Sequence, residues 1–309
     1  MRFTLSFSLV VFSLIIAAGC LWVASYLAWY WAILAIFLFA HINNMPFSIM
    51  HEAAHGVAAN SKLGNRIIGV MSSWAYPTSF LLQKQAHQGH HERNRTDLDL
   101  YDYYLPHQSK FRRNIILYGG NLLGLYYVCV VFSNFVYLIA SGFYRSAFFK
   151  KKVATNLECS HYIADISKLP SLQVWCEIAL SFGYQALLVW VLDLTFWGYV
   201  LCMYAFALHW SVLQYADHAW SSRDIKNGAW NLKVLPIFRW LALNYHYHLA
   251  HHQHPTVPWY DLPKYVDKQE LQPSFWRVYF TLWRGVRPAP PMGAAADLDF
   301  LFPEYKETK

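Results

Sequence analysis

Three short stretches of this 309-residue chain set imidazoles at metal-ligand spacing: His51-Glu52-Ala53-Ala54-His55, His87-Gln88-Gly89-His90-His91 and His248-Leu249-Ala250-His251-His252. On a helix, positions i, i+3 and i+4 share one face, so each stretch aims two or three imidazoles at a common point. Eight histidines result, and His218, preceded by Asp217 at the end of a long apolar run, offers a ninth. Tetrahedral zinc takes four ligands and an octahedral ion six, so two ions sharing the set is the simpler arithmetic. Imidazole suits iron, zinc, copper and nickel, and the ligand type alone does not choose among them. Glu52, Glu92, Asp97, Asp99 and Asp217 lie near enough in sequence to accept a free ring N–H, with Asp217 the favoured one. His41, His107, His161 and His209 lie outside the clusters and read as locally satisfied polar residues. The five cysteines, Cys20, Cys129, Cys159, Cys176 and Cys202, form no CxxC pair and suggest neither a disulfide framework nor a thiolate metal site.

The elements that must hold these histidines are apolar. Hydrophobic residues make up 56% of the chain and charged residues 14%, where a soluble domain carries about 25% charged residues. That excludes disorder and argues against an ordinary soluble enzyme. Crossing a bilayer takes about 20 apolar residues. Runs of that order cover about residues 5–23, 27–49, 115–142 and 174–213, the last with Asp193 near its middle and long enough for two short spans or for one span plus an interfacial helix. The segment 67–82 holds Ser72, Ser73, Pro77 and Thr78 and reads as a helix lying in the interface. Residues 1–18, followed by Gly19 and Cys20, faintly resemble a secretory leader, but a second apolar run follows at once, so an uncleaved first span is expected. The expected architecture is an all-α, polytopic membrane helix bundle of four to six spans forming one domain over 1–309, with a histidine-rich metal-binding cap at 50–113 and 217–309.

Net charge is +7 and the isoelectric point about 9.0. In a membrane protein this charge collects in cytoplasmic loops, so it points to anionic lipid and not to nucleic acid. Eight basic residues lie between Lys62 and Arg113, and eleven follow His218, including Lys306 and Lys309. Both regions, and the N-terminus, are therefore expected on the cytoplasmic side together with the metal site. Leaving that side after Arg113 and returning by His218 requires an even number of crossings. Arg145 and Lys150, Lys151 and Lys152 lie in the intervening loop and pull it toward the cytoplasm, which conflicts with two crossings.

An HxxxH box, an HxxHH box soon after it and a second HxxHH box past the last span resemble the membrane fatty acid desaturase and hydroxylase superfamily. The stretch Asn244 to Pro255 (NYHYHLAHHQHP), then Val257-Pro258-Trp259-Tyr260 and Leu262-Pro263, is similar to the family's third box; Gly119-Gly120 and Asp217-His218 also fit, the latter with Asp for the commoner Glu. The resemblance runs from His51 to Pro263. It implies two non-haem irons held by His51, His55, His87, His90, His91, His248, His251 and His252 with His218, while Asp217, His246 and Asn244 support them from behind. It further implies dioxygen as co-substrate, and hydrogen removal from an unactivated C–H bond to give an alkene, or hydroxyl transfer to give an alcohol. The expected substrate is a fatty acyl chain, with a hydroxylase or ketolase of a lipid or carotenoid as the alternative. No haem segment or CxxC pair is present in the sequence, so electrons are expected from a separate ferredoxin, rubredoxin or cytochrome b5 type donor with its reductase, steered by the basic face. Trp22, Trp29, Trp31, Trp74, Tyr76, Trp190, Trp197 and Tyr204 could line an acyl tunnel but read first as packing and interface anchors. His51-Glu52-Ala53-Ala54-His55 also matches the HExxH zinc motif of an intramembrane metalloprotease, which needs one further ligand and not six more histidines. A histidine-rich metal transporter would place its ligands at mid-membrane, whereas these clusters follow the ends of the spans.

Overall fold

The computed structural model describes residues 2–156 and 158–304; Lys306 and Lys309 of the basic tail lie outside the described residues. Five helical stretches are long and apolar enough to cross a membrane: Arg2–Tyr26, Trp29–Ala54, Leu125–Arg145, Ser171–Val191 and Phe196–Ala216. We label the helices used below α1 (Arg2–Tyr26), α2 (Trp29–Ile42), α3 (Asn44–Ala54), α4 (Lys62–Ser73), α5 (Phe80–Arg93), α6 (Leu125–Arg145), α7 (Ser171–Val191), α8 (Phe196–Ala216) and α9 (His248–Gln253).

The chain divides into two compact units, residues 1–89 with 128–207 and residues 90–127 with 208–309. In the first unit α1 and α2 form a hairpin, and α3 continues α2 after Asn43. Pro46 falls in the first turn of α3, where its missing N–H costs nothing. Ser6 Oγ donates to Ala58 O at 2.8 Å and ties the start of α1 to the loop after α3. Asn65 organises that loop. Its Nδ2 donates to the carbonyls of Gly56, Ala59 and Ser61, and its Oδ1 accepts from Ala59 N. At the opposite end of the hairpin, Tyr26 OH donates to Asp193 O and Thr195 N donates to Ser25 Oγ, so the α1–α2 turn sits beside the α7–α8 turn.

The last apolar run takes one of the two forms its length allowed, and the third differs from the sequence reading. The stretch 174–213 is two helices broken at Leu192–Thr195; Asp193 takes φ +48° in the turn and is not inside a span. The stretch 115–142 opens as a π-helix, Ile116–Leu122, and turns at Gly124 (φ +79°) before α6 begins. A left-handed φ is cheap only for glycine, which is why α6 starts where it does. The segment 67–82 is not one helix either. α4 stops at Ser73 and α5 starts at Phe80, because Pro77 cannot supply an N–H to a helical ladder and Ser79 caps the new one, accepting from Leu82 N at 3.3 Å.

The second unit has its own core, in which Trp220, Leu232, Val278, Leu282 and Leu301 are fully buried. A parallel pair of two-residue strands joins Tyr103–Tyr104 to Arg287–Pro288. Beneath it lies a buried ion pair. Arg95 donates to both Asp102 oxygens at 2.9 and 3.0 Å, and Asp102 also accepts from Tyr215 OH (2.5 Å) and Trp220 N (2.6 Å). Burial opposes the Arg95 charge, but the Asp102 carboxylate outweighs it and raises the guanidinium's pKa. A satisfied pair of this kind fixes the polypeptide on either side of it, here residues 215–221, which include His218.

Candidate metal centre

Helix α5 carries His87, His90 and His91, and α9 carries His248, His251 and His252, each at the spacing that puts i, i+3 and i+4 on one face. α3 carries His51 and runs up to His55. His218 stands just past the end of α8, on the stretch fixed by Asp102.

In the first unit the ligand nitrogens of His51, His55 and His87 lie within 4.8 Å of one another, with His55 Nε2 and His87 Nε2 2.7 Å apart. In the second unit those of His90, His218, His248 and His252 do the same, and His91 Nε2 lies 3.0 Å from His251 Nε2. His90 Nε2 is 3.1 Å from His218 Nε2, and His248 Nε2 is 3.2 Å from His252 Nε2. All nine candidate ligands thus stand close to at least one other.

The far side of each ring decides what these close pairs are. His218 Nδ1 lies 2.8 Å from Gly228 O, and a carbonyl only accepts, so the ring proton is on Nδ1 and Nε2 carries a lone pair. His90 Nδ1 lies 2.6 Å from Asp99 Oδ2, so in the neutral ring the proton is likewise on Nδ1 and Nε2 is the free nitrogen. Two lone pairs at 3.1 Å repel unless a cation lies between them. Two nitrogens each about 2.1 Å from one ion and at right angles stand about 3 Å apart, the spacing seen here. Burial, then the neighbouring His90, lowers the pKa of His218; burial, then His248 and His218, lowers that of His252. Both rings are therefore neutral, the form that binds metal.

Asp217 supplies a further sign. It is fully buried, burial raises its carboxyl pKa well above the usual range, and neither oxygen has a hydrogen-bond partner among the described residues. His248 Nδ1 is 3.4 Å from its Oδ2. An imidazole whose other nitrogen binds a cation becomes a stronger donor, and such a ring would satisfy this carboxylate. The donor set and its orphaned carboxylate fit a transition-metal ion with nitrogen ligands.

The remaining sequence candidates divide clearly. Asp99, given no special weight in the sequence, lies 2.6 Å from His90 Nδ1; it sits in a loop nine residues past His90, where no helical repeat points to it. Asp97 accepts from Arg223 at 2.7 Å, and Glu92 is exposed beside Arg93. Glu52 is buried. Asn244 takes φ +60° and its side chain donates to Trp259 O, shaping the turn that leads toward α9, and His246 lends its carbonyl to Leu232 N.

Residues 25–283, well over half of the chain, match the model of a protein family described as fatty acid desaturase. No curated protein matches the chain.

Proposed function

The chain belongs to the fatty acid desaturase family, and from that premise we propose that it is a membrane oxidase that uses two irons, dioxygen and external electrons to desaturate a fatty acyl chain. The observation that carries this reading is the group His90, His218, His248 and His252, whose Nε2 atoms gather while Nδ1 of His90 and His218 is tied off behind. His51, His55, His87, His91 and His251 complete the nine proposed ligands, and the whole chain acts as one functional domain. When bound, the irons supply the oxidising power that no side chain has. The protein's part is to hold the rings. Asp99 and Gly228 O fix two ring protons on Nδ1, Asp217 steadies His248, and the Arg95–Asp102 pair keeps the His218 stretch in place. The apolar helices keep the acyl substrate in the bilayer phase and water away from it.

The same reading assigns sides. α7 begins at the end of the first unit where α1 begins, and its far end meets the α1–α2 turn. α6 remains at that beginning. Asn134 accepts from Thr78, Leu138 O accepts from Trp175 Nε1 near the start of α7, and after the break at Ala140 (φ −146°, ψ 49°) Tyr144 OH turns back to Ser133 O. Its longest straight piece, 125–139, is about 22 Å long against about 30 Å of hydrocarbon. Its exposed residues Leu125, Tyr126, Val128, Cys129, Phe132, Phe135 and Ile139 fall on one side, as in a helix lying in the interface. Four crossings, α1, α2–α3, α7 and α8, then place Lys62–Arg113, Arg145–Lys152 and the tail on one side, the cytoplasmic one by the excess of Lys and Arg. This removes the conflict that Lys150, Lys151 and Lys152 posed. That basic side would steer an acidic electron donor of ferredoxin, rubredoxin or cytochrome b5 type.

The test is lipid and pigment profiling of a host expressing the chain beside its His251→Ala variant, with iron content of the purified protein. A new unsaturated acyl chain lost in the variant, with two irons per chain, supports the proposal. A hydroxylated chain or an oxidised carotenoid would move the reaction within the family, and absence of iron would overturn the metal assignment.

A further inference from the structure

Beyond its first turn, helix α7 carries Glu177, Ser181 and Gln185 at four-residue steps among mostly apolar residues, and all three are buried. Polar groups on one face of a bilayer helix are costly and are kept where they have partners. Here all three reach one stretch of chain, the break between α4 and α5, while Gln185 Oε1 also accepts from Tyr199 OH. Gln185 Nε2 donates to Trp74 O, Ser181 Oγ donates to Ser73 O and accepts from Thr78 N, and Glu177 Oε2 accepts from Leu81 N (2.9 Å) and Ser79 Oγ (2.7 Å). Non-helical backbone among apolar helices is tolerated only when its N–H and C=O groups are satisfied, and this stripe satisfies Ser73 O, Trp74 O, Thr78 N and Leu81 N.

Glu177 has the most demanding place. It meets the first turn of α5, where unpaired N–H groups and the positive end of the helix dipole favour a carboxylate. Ser79 joins the two, since its hydroxyl donates to Glu177 while its oxygen accepts from Leu82 N. Arg66 of α4 reaches the other oxygen at 3.5 Å. The start of α5 is also seated by shape: a Cβ on Gly69 of α4 would fall 2.4 Å from the Phe80 ring, so α4 and α5 meet without room for adjustment. His87 lies six residues beyond Leu81, about 9 Å along the axis, and its Nε2 is 2.7 Å from that of His55. A shift of α5 by a fraction of a turn would separate that pair.

We propose that Glu177 is a positioning residue for the metal centre, holding α5 through Ser79 and Leu81 so that His87 meets His51 and His55. The inference rests on the metal-centre reading above. Its test is cobalt(II) titration of the metal-free full-length chain in detergent, followed by the visible spectrum of histidine-bound cobalt and by thermal unfolding. Wild type is expected to take up two ions. In Glu177→Leu the affinity for the ion bound by His51, His55 and His87 is expected to fall about 10- to 100-fold, with a changed spectrum, while the ion bound by His90, His218, His248 and His252 is retained. Glu177→Gln, which still accepts from Leu81 N, is expected to recover most of the loss. Ser79→Ala, a smaller change that removes the link and the cap, is expected to move the same affinity in the same direction. Two tight ions in both Glu177→Leu and Ser79→Ala overturn the inference, and so does equal loss of both ions together with a lowered unfolding temperature. A wild-type chain that takes up fewer than two ions overturns the metal-centre reading itself, and the inference with it.

Discussion

The two units hold their histidines by different means. In the second unit the rings of His90 and His218 are each tied at Nδ1, to Asp99 and to Gly228 O, and the stretch carrying His218 rests on a buried Arg95–Asp102 pair. In the first unit His51 and His87 stand on helices, and the accuracy of the site depends on how α3 and α5 are seated, with the polar stripe of α7 under the start of α5. One arrangement is built from side-chain anchors and the other from helix placement. The first resists small backbone shifts because each tether acts on the ring itself. The second passes any shift of a helix axis directly to its ligands.

Substitutions ranked by expected effect can break or sharpen this contrast. His218→Ala removes a proposed ligand and its tether together; product formation should fall below detection and one ion should be lost, as read by lipid profiling and iron analysis. Asp102→Ala strands the buried Arg95 charge, which costs about 3–5 kcal/mol, and should appear as a large drop in thermal unfolding temperature with loss of metal following the loss of fold. Asp99→Ala leaves the ligands in place but unties His90; metal affinity should fall about 10- to 100-fold with little change in unfolding temperature, and unchanged affinity would show that the anchors of the second unit are dispensable. Ser61→Ala removes the cap that accepts Gly64 N at the start of α4, costs about 1 kcal/mol, and should leave metal content untouched. A metal effect from Ser61→Ala larger than that from Asp99→Ala would reverse the contrast.

The histidine clusters were legible because a helical repeat is local, and His87, His90 and His91 need only α5 to share a face. The helical class was legible for a similar reason, since runs of apolar residues have few alternatives in a bilayer, but the number of spans was open within four to six. The break at Asp193 was harder to place. Apolar residues continue on both sides of it, and its turn is held by Ser25 and Tyr26, well over a hundred residues away. The folding back of α6 at Ala140 has no signal in its composition; Tyr144 and Trp175 make it visible only in three dimensions. Among the five carboxylates named from the sequence, Asp217 was favoured from its place beside His218 and does face His248, while Asp99 was not singled out because only a loop brings it back to His90.

What the sequence determined by itself was the membrane setting, the helical class and the histidine clusters, since composition and short-range spacing are properties of neighbouring residues. The tertiary structure alone decided which nitrogen of His90 and of His218 faces inward, which carboxylates stand behind the rings, and that Glu177, Ser181 and Gln185 support the start of α5. Each of those depends on a hydrogen bond to a group outside the local repeat, and such a bond exists only once packing has brought distant stretches of chain within about 3 Å.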